Sequence, residues 1–343
     1  MENIILLILL WFGIYLIVAL SLNMEYGYAG IPNFGKALSV LVGAITVGSI
    51  LNRLIIFYFG IKGEFVESTT FAVSKMNALV AKDPYLGILL LLIAVIIASI
   101  LGFLIGVLFI LPSAKLQADY LGITLLAISE TIFLISVYNL NIVGGYYGVS
   151  VPDIFNSIGG EYRGLLFALL VLFCALLVFL FINRLLATPY GRVLKAMREN
   201  PEVAQAFGRN LMKIRMLTVG IGSAIGAIAG VLYAFYTGNI IANSFTRVEW
   251  TFFPFLMILL GGRGSNFGVV LGVLFYVVIG VMLDVYKFDI KEFFHIPVEP
   301  VWLTYILFGV FMLLILYFRP KGIIPEKPIF TPPIKRVYHD FRS

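Results

Sequence analysis

The chain has 343 residues, of which 61% are hydrophobic and only 12% are charged. A soluble domain has about 45–50% apolar and about 25% charged residues, so this composition excludes an ordinary soluble protein and indicates a polytopic membrane protein. The formal net charge of +6 is then expected to set the orientation of the chain in the bilayer rather than to bind nucleic acid.

Few residues are available for catalytic or metal chemistry. The chain has one cysteine, Cys174, and two histidines, His295 and His339, which lie far apart. Neither a disulfide framework nor a thiolate metal site is available, and no Gly-x-x-x-x-Gly-Lys-Ser/Thr phosphate loop occurs. We therefore expect no catalytic residue, no metal and no cofactor in this chain, and any ATP must be bound by partner subunits.

Apolar runs of roughly 20 residues predict the membrane spans. The first run follows acidic Glu2 and has no basic leader and no cleavage site, so it is expected to be a retained span. The sequence predicts an all-α integral membrane protein: a bundle of about nine spans (eight to ten) with interrupted helices. Clear runs cover 3–22, 85–111, 164–183, 216–236 and 301–318, and shorter or interrupted ones cover 34–51, 120–137, 250–262 and 268–284.

Two glycine-rich breaks precede apolar runs, at residues 30–35 and 264–268. Paired breaks in two halves of a membrane protein are typical of internally repeated transporters, and irregular backbone at membrane depth must be buried in protein or face water. Asn23, Glu25 and Asn33 flank the first break and either face the solute pathway or cap helix ends, and Tyr28 is a further pathway candidate. The glycines expected to form helix breaks are Gly27, Gly30, Gly144, Gly145, Gly261, Gly262 and Gly264.

A basic polar segment at 187–215 separates two apolar runs. Thr188 and Asn200 are suitable N-caps, each is followed by proline at the first helical position, and Gly208 supplies a C-terminal stop. The pattern predicts two short helices on one membrane face. They form either a docking surface for another protein or only a solvated basic loop.

Basic residues predict the orientation. Residues 184–215 hold seven Lys and Arg and the segment after the last run holds six, so 13 of the 24 lie in two segments separated by four predicted spans. The positive-inside rule makes that side cytoplasmic, which with nine spans puts the N-terminus outside. The 52–84 connection then lies outside, and its four basic residues fit this orientation less well.

Two features inside the apolar runs can carry packing or function. Gly222, Gly226 and Gly230 form a small-residue stripe, which predicts close helix packing within the chain or, alternatively, a subunit interface or pathway. Glu130 lies inside a short apolar run, where a buried carboxylate is a pathway candidate. The alternative is a structural hydrogen bond or a charge near the membrane surface.

Several motifs, in order along residues 15–325, resemble those of the branched-chain amino acid ABC transporter permeases, and the LivM type more than the LivH type. The opening motif is Asn-Met-Glu-Tyr-Gly-Tyr-Ala-Gly at 23–30 with Phe-Gly-Lys-Ala at 34–37. The others are Thr-Leu-Leu-Ala-Ile-Ser-Glu at 124–130, Gly-Gly-Tyr-Tyr-Gly at 144–148, Pro-Tyr-Gly-Arg at 189–192, Leu-Gly-Gly-Arg-Gly-Ser at 260–265 and Phe-Arg-Pro-Lys-Gly at 318–322.

The resemblance implies a permease for branched-chain amino acids in the plasma membrane. Its implied partners are a second permease subunit (LivH type, or a second copy as a dimer), two cytoplasmic ATP-binding subunits and an external solute-binding protein. Residues 202–208 keep the glutamate, one alanine and the glycine of the importers' coupling motif. The coupling residues implied are Arg198, Glu199, Asn200, Glu202, Ala204 and Gly208.

Other functions remain open from the sequence. A permease of the same family could carry urea, amides or other amino acids, and an ion-coupled secondary transporter would work without an ATPase. An integral membrane enzyme lacks a recognisable His/Asp/Glu cluster. The expected organisation is one transmembrane permease domain over 1–325, which includes the loop 187–215, and a cytoplasmic tail over 326–343.

Overall fold

A computed structural model describes residues 2–158, 160–294, 300–318 and 321–326. His295, His339 and the predicted tail beyond Glu326 lie outside the described residues. The described helices are α1 (Glu2–Leu22), α2 (Lys36–Ile45), α3 (Asn52–Phe59), α4 (Phe65–Val80), α5 (Pro84–Ile110), α6 (Ala118–Tyr138), α7 (Leu140–Val143), α8 (Gly160–Ala187), α9 (Pro189–Glu199), α10 (Pro201–Ala206), α11 (Leu211–Thr237), α12 (Phe253–Gly261), α13 (Asn266–Phe294) and α14 (Pro300–Phe318).

Seven helices within the described residues are long and apolar enough to cross a membrane, which confirms the predicted polytopic helical architecture. Two of them contain π-helical turns: α1 continues through Asn23–Tyr28, and α2 joins α3 through Thr46–Leu51. The predicted spans 250–262 and 301–318 fall on α12, which a π-helical turn at Val248–Phe252 extends, and on α14. The full number of nine spans remains a prediction. The seven are Ile4–Tyr28, Lys36–Phe59, Pro84–Ile110, Asp119–Tyr138, Tyr162–Ala187, Leu211–Thr237 and Asn266–Asp289.

Helix α11 lies at the centre of the bundle and packs against α1, α2 and α5. Its small-residue stripe faces the first break and α2: a Cβ atom added at Gly222 would collide with Glu25, at Gly226 with Ser39, and at Gly230 with the Val40 carbonyl. Small residues allow such close backbone approach in lipid, where no hydrophobic force drives helices together. In the structure this stripe therefore packs within the chain.

Helices α9 and α10 follow the end of α8 and form part of the basic segment 187–215. Thr188 Oγ1 accepts from the Tyr190 N–H (3.3 Å), Asn200 Oδ1 accepts from the Val203 N–H (3.0 Å), and Gly208 follows α10 in the left-handed region with φ +76°. The capping signals in the sequence correctly predicted both short helices. We call residues 187–215 and the adjoining ends of the spans the basic end.

The other end of the bundle carries structure that the apolar pattern did not predict. Strands β1 (Val149–Ser150) and β2 (Asn239–Ile240) pair antiparallel. Helix α4 packs beside them, and its Asn77 side chain accepts from the Asp153 N–H (2.8 Å). Gly144 and Gly145, with φ +71° and +56°, form the turn that ends α7. This end is separated from the basic end by the length of the spans.

Candidate functional site

A buried ion pair connects the two sides of the first break, which in the structure is longer than the predicted 30–35 and extends over residues 23–35. Lys36 Nζ lies 2.8 Å from Glu25 Oε1, and both side chains are fully buried. Lys36 also donates to the Gly222 carbonyl (2.9 Å), and Asn33 Nδ2 donates to Glu25 Oε2 (2.9 Å). Both charges are thus hydrogen-bonded as well as paired, which is what makes burying them tolerable.

The position of this pair follows from local backbone geometry. The π-helical turn Asn23–Tyr28 directs Glu25 inward, and α2 starts at Lys36 as soon as the break ends. Asn33 Oδ1 accepts from the Gly35 N–H (3.1 Å), so this residue closes the turn as well as contacting Glu25. Only a glycine at 222 leaves room for the Glu25 carboxylate against α11.

Asparagine side chains join the first break to the second break. In the structure the second break lies between α12 and α13 and covers residues 261–265, rather than the predicted 264–268. Asn23 Oδ1 accepts from the Gly264 N–H (3.0 Å), and Asn23 Nδ2 donates to Asn266 Oδ1 (2.9 Å). Asn266 Nδ2 in turn donates to Asn183 Oδ1 on α8 (2.7 Å). The two breaks, which are far apart in sequence, are therefore hydrogen-bonded to each other.

Arg198 on α9 hydrogen-bonds to the first break and lies close to the second. Its Nη1 donates to the Gly27 carbonyl of the first break, and the same atom lies 2.8 Å from Glu326 Oε2. A Cβ atom added at Gly264 of the second break would lie only 3.2 Å from that nitrogen. Lys195 Nζ reaches Glu326 Oε1 at 2.7 Å and lies over the Tyr28 ring, 5.3 Å from its centroid. We call Lys195, Arg198 and Glu326 the arginine junction.

The segment after α14 is held against the second break. The Ile323 and Ile324 N–H groups donate to the carbonyls of Leu260 and Gly261 at 2.8 and 2.9 Å, which delivers Glu326 to α9. Gly262, with φ +113°, packs its Cα against this segment, where a Cβ atom would collide with the Ile324 carbonyl. One carboxylate thus ties the segment that follows the last helix to α9.

Two ionisable groups at the basic end, Glu326 and Tyr190, lie outside the spans and have altered pKa values. Partial burial alone would raise the pKa of Glu326, but hydrogen bonds from Lys195 and Arg198 and their positive charges outweigh it, so the pKa lies below its ordinary value. Burial raises the pKa of Tyr190, whose hydroxyl is within hydrogen-bond distance (2.7 Å) of Thr218 Oγ1 on α11. This contact is a second link between α9 and the bundle.

A cavity of about 930 Å³ lies between the α9–α10 loop and the first break. The residues that line it include Glu202 and Gln205 of α10 and Gly30 and Pro32 of the first break. Ala204 is buried at 5% exposure, whereas Phe207 is 82% exposed. The loop therefore contacts the bundle with one face and presents the other to solvent.

The predicted pathway residues do not form one cluster. Asn23, Tyr28 and Asn33 all lie in the first break, Asn23 and Asn33 within its hydrogen-bond network and Tyr28 beneath Lys195. Glu130 lies elsewhere, on α6, where its Oε2 is 3.4 Å from Arg247 Nη1. The predicted coupling residues do lie together: Glu199 is 3.6 Å from Arg198, and Asn200 caps α10 ahead of Glu202.

Sequence reasoning did not name five residues of this site: Lys36, Asn183, Lys195, Asn266 and Glu326. A signal existed for Lys36, because a lysine at the start of an apolar run, eleven residues after a glutamate and across a glycine-rich break, needs a buried partner. The contacts of Asn183, Asn266 and Glu326 cross more than 80 residues of sequence. No local pattern predicts them.

We expect Lys36→Met to destabilise the chain by about 3–5 kcal/mol, because it leaves the Glu25 carboxylate buried without its partner. Adding Glu25→Gln should restore most of that loss, since no buried charge then remains. Denaturant unfolding in detergent measures both. Lys287→Met is the matched control: its pair with Asp284 is partly exposed, so about 1 kcal/mol or less should be lost. Equal losses in the single and double variants would contradict this account.

We expect the arginine junction to open in acid. The contacts with Lys195 and Arg198 lower the pKa of Glu326. The stabilisation that the ionised Glu326 carboxylate gives to the docked segment is therefore complete above the ordinary pKa of 4.5, and it is lost as the pH falls through the lowered pKa. Protection factors of the Ile323 and Ile324 amides should therefore drop at low pH, and in Glu326→Gln they should be low throughout. Glu199→Gln, which alters an exposed carboxylate beside the same arginine, should behave as wild type. Acid-insensitive protection would refute this.

Comparison with known proteins identifies the family. A sequence model of the branched-chain amino acid transport system / permease component family matches residues 4–316. The probable branched-chain amino acid transport permease protein LivM of Methanocaldococcus jannaschii is 67% identical over 330 residues, 96% of each chain. The high-affinity branched-chain amino acid transport system permease protein LivM of Escherichia coli is 28% identical, over 91% of this chain and 68% of that protein.

A more distant match is the corresponding LivH permease protein of Salmonella typhimurium, 26% identical over 75% of this chain and 78% of that protein. No solved structure matches. The greater similarity to LivM agrees with the motifs in the sequence. The chain belongs to the family of branched-chain amino acid transport system permease components, and within it resembles LivM.

Proposed function

We propose that this chain is one of two permease subunits of an importer for branched-chain amino acids, and that separate ATP-binding subunits dock at the basic end. The solute is proposed from the names of the relatives. The observation that supports the coupling role is the Arg198 side chain, which leaves α9 and hydrogen-bonds to the backbone of the first break. A solvated loop would not need such a contact.

The surface of α10 suits protein docking. Val203 on α10 is 50% exposed and Phe207, directly after the helix, is 82% exposed, and the Asn200 cap holds α10 in place. Exposed apolar side chains on a short, fixed helix are typical of interaction sites rather than of a solvated loop. The ATP-binding subunits would grip this helix from the cytoplasm, which makes the basic end cytoplasmic.

The arginine junction gives this docking a route into the bundle. A displacement of α9 moves Arg198, and with it the Gly27 carbonyl, the Glu326 carboxylate and the backbone around Gly264. The asparagine contacts make the two breaks move together. ATP hydrolysis in the partner subunits supplies the free energy, and the residues of this chain transmit the movement to the helices that start at each break.

The pathway is proposed along the face of α6 that carries Glu130. This carboxylate is about midway along the helix and 32% exposed, and its partner Arg247 is 48% exposed. Thr131 beside it is also exposed. Charged side chains facing lipid at this depth are costly, so this face would be covered by the second permease and wetted by the pathway. The solute-binding protein would then deliver its cargo at the end that carries α4 and the β1–β2 pair, with the N-terminus outside.

We expect Arg198→Gln to uncouple the transporter. Because the variant keeps α10 and its exposed apolar residues, the ATP-binding subunits should still co-purify and hydrolyse ATP, while leucine uptake into liposomes falls by about tenfold or more. Arg198→Lys should be intermediate, since lysine keeps the positive charge but not the rigid, planar guanidinium whose Nη1 contacts both Gly27 and Glu326. Glu202→Arg, in contrast, should impair capture of the ATP-binding subunits.

The control for the uncoupling experiment is Arg192→Gln, which removes the same charge from an exposed position on α9 and leaves the contacts of Arg198 with Gly27 and Glu326 in place. Wild-type uptake in Arg198→Gln would contradict the coupling route. Uphill uptake by this chain alone on an ion gradient would contradict the whole proposal, and uptake of urea in place of leucine would contradict the solute.

We expect Thr131→Cys in a Cys174→Ala background to react with a water-soluble thiol reagent in the assembled transporter, because it faces the pathway. Leu176→Cys, on the exposed face of α8, is the matched control and should react only with a lipid-soluble reagent. Glu130→Gln should lower uptake without changing assembly. Labelling of Thr131→Cys by the lipid-soluble reagent alone would place α6 against lipid and rule out this pathway.

A further inference from the structure

A second cavity, of about 320 Å³, lies away from the basic end and outside the contacts of the two breaks and of the arginine junction. It opens between α1, α11, α13 and α14, and the π-helical turn Val248–Phe252 closes one side. Small-molecule pockets in proteins have volumes of about 300–1,000 Å³, so it is large enough for a compact organic ligand. We call it the aromatic cavity, because its lining includes Trp11, Tyr15, Tyr233, Phe253, Tyr276 and Tyr305.

Packing fixes the orientation of these rings. Trp11 stacks on Tyr15 with centroids 5.3 Å apart, Tyr15 meets Tyr276 edge-on at 6.0 Å, and Trp11 lies 5.8 Å from Tyr233. Tyr15 and Tyr276 are only 8% and 6% exposed. Aromatic side chains held by neighbours in this way present a preformed wall at little cost in conformational entropy.

The lining also carries one uncompensated negative charge. Asp284 is paired with Lys287 at 3.5 Å, so these two charges offset each other. Glu249 lines the cavity as well, is partly buried, and its carboxylate has no hydrogen-bond or ion-pair partner among the described residues. A carboxylate that is partly withdrawn from water and has no partner is destabilised, and a bound cation would offset that cost.

We propose that the aromatic cavity binds an organic ammonium group, with Glu249 as its counter-ion and the faces of the aromatic rings as its walls. Cations bind over aromatic faces by electrostatic attraction to the ring quadrupole, and the effect is larger in desolvated sites. Ca²⁺ instead needs six to eight oxygen ligands, which a lining dominated by ring carbon does not supply. The inference is independent of the proposed transport and coupling roles, neither of which uses this cavity.

Two sources of an ammonium group can reach the cavity. Tyr305 on α14 is 42% exposed, so the cavity opens beside the outer surface of this helix. In a bilayer that surface would face lipid, and the ammonium of a phospholipid head group could enter there. The amino group of a free solute can enter from the aqueous side, where Asp284 is 63% exposed. Both sources present the same chemistry to Glu249.

The test uses the purified full chain in detergent, with choline as the cationic probe and 3,3-dimethylbutanol as its neutral isostere. Tryptophan fluorescence reports binding, because Trp11 lines the cavity. We expect choline to bind and the isostere to bind at least about tenfold more weakly, and Glu249→Gln to lower choline affinity by about tenfold. Glu67→Gln, which changes an exposed carboxylate on α4, is the matched control and should bind choline as wild type does.

Glu249→Gln preserves the shape of the side chain, and an unchanged unfolding temperature without ligand will show that it folds. Equal binding of choline and its isostere, undiminished choline binding in Glu249→Gln, or no choline binding to the wild type would each overturn the proposal. Competition against choline then identifies the source. Displacement by phosphatidylethanolamine indicates a lipid head group, displacement by leucine indicates a solute amino group, and equal displacement by phosphatidylglycerol, which has no ammonium, would overturn it.

Discussion

The fully buried ion pair between Glu25 and Lys36 is the interaction on which the rest of the structure depends. A charge withdrawn from solvent in a membrane bundle is tolerated only when it is paired and hydrogen-bonded, so this pair constrains everything that touches it. It fixes where the first break ends and α2 begins. It also requires glycine at position 222, because any larger residue on α11 would occupy the volume of the carboxylate.

From this anchor the contacts run outward to the basic end. The first break bonds to the second through Asn23, and Arg198 bonds to the backbone of the first break from α9. Glu326 completes the arrangement by joining the segment after α14 to α9. The contacts of the breaks are buried and polar, whereas α10 is anchored chiefly by its cap and by Ala204. Hydrogen-bonded breaks and an exposed α10 fit the proposal that separate ATP-binding subunits move the helices of this chain.

The polar features at the other end serve different purposes. Glu130 lies on α6 and pairs with Arg247, which directly precedes the π-helical turn Val248–Phe252, and we propose that a second permease covers this pair. Glu249 instead lies in an aromatic cavity within the bundle. These carboxylates occur in similar apolar surroundings in the sequence. Only their neighbours in space distinguish the ion-paired Glu130 from Glu249, which has no such partner among the described residues.

The sequence by itself determined the class of the protein, most of the spans, the two short helices of the basic end and the family. These follow from local signals: apolar run length, N-cap residues with proline, and motifs in order along the chain. It did not predict α4 or the β1–β2 pair, because a half-buried surface helix and a two-residue strand pair have no apolar run long enough to mark them. Only the tertiary structure decided that Lys36 is the partner of Glu25, that Asn23 meets the second break and that Glu326 meets Arg198. Hydrogen bonds and ion pairs act over about 3 Å in space, and residues on separate segments come that close only after the helices have packed, whether they are 11 positions apart or 241.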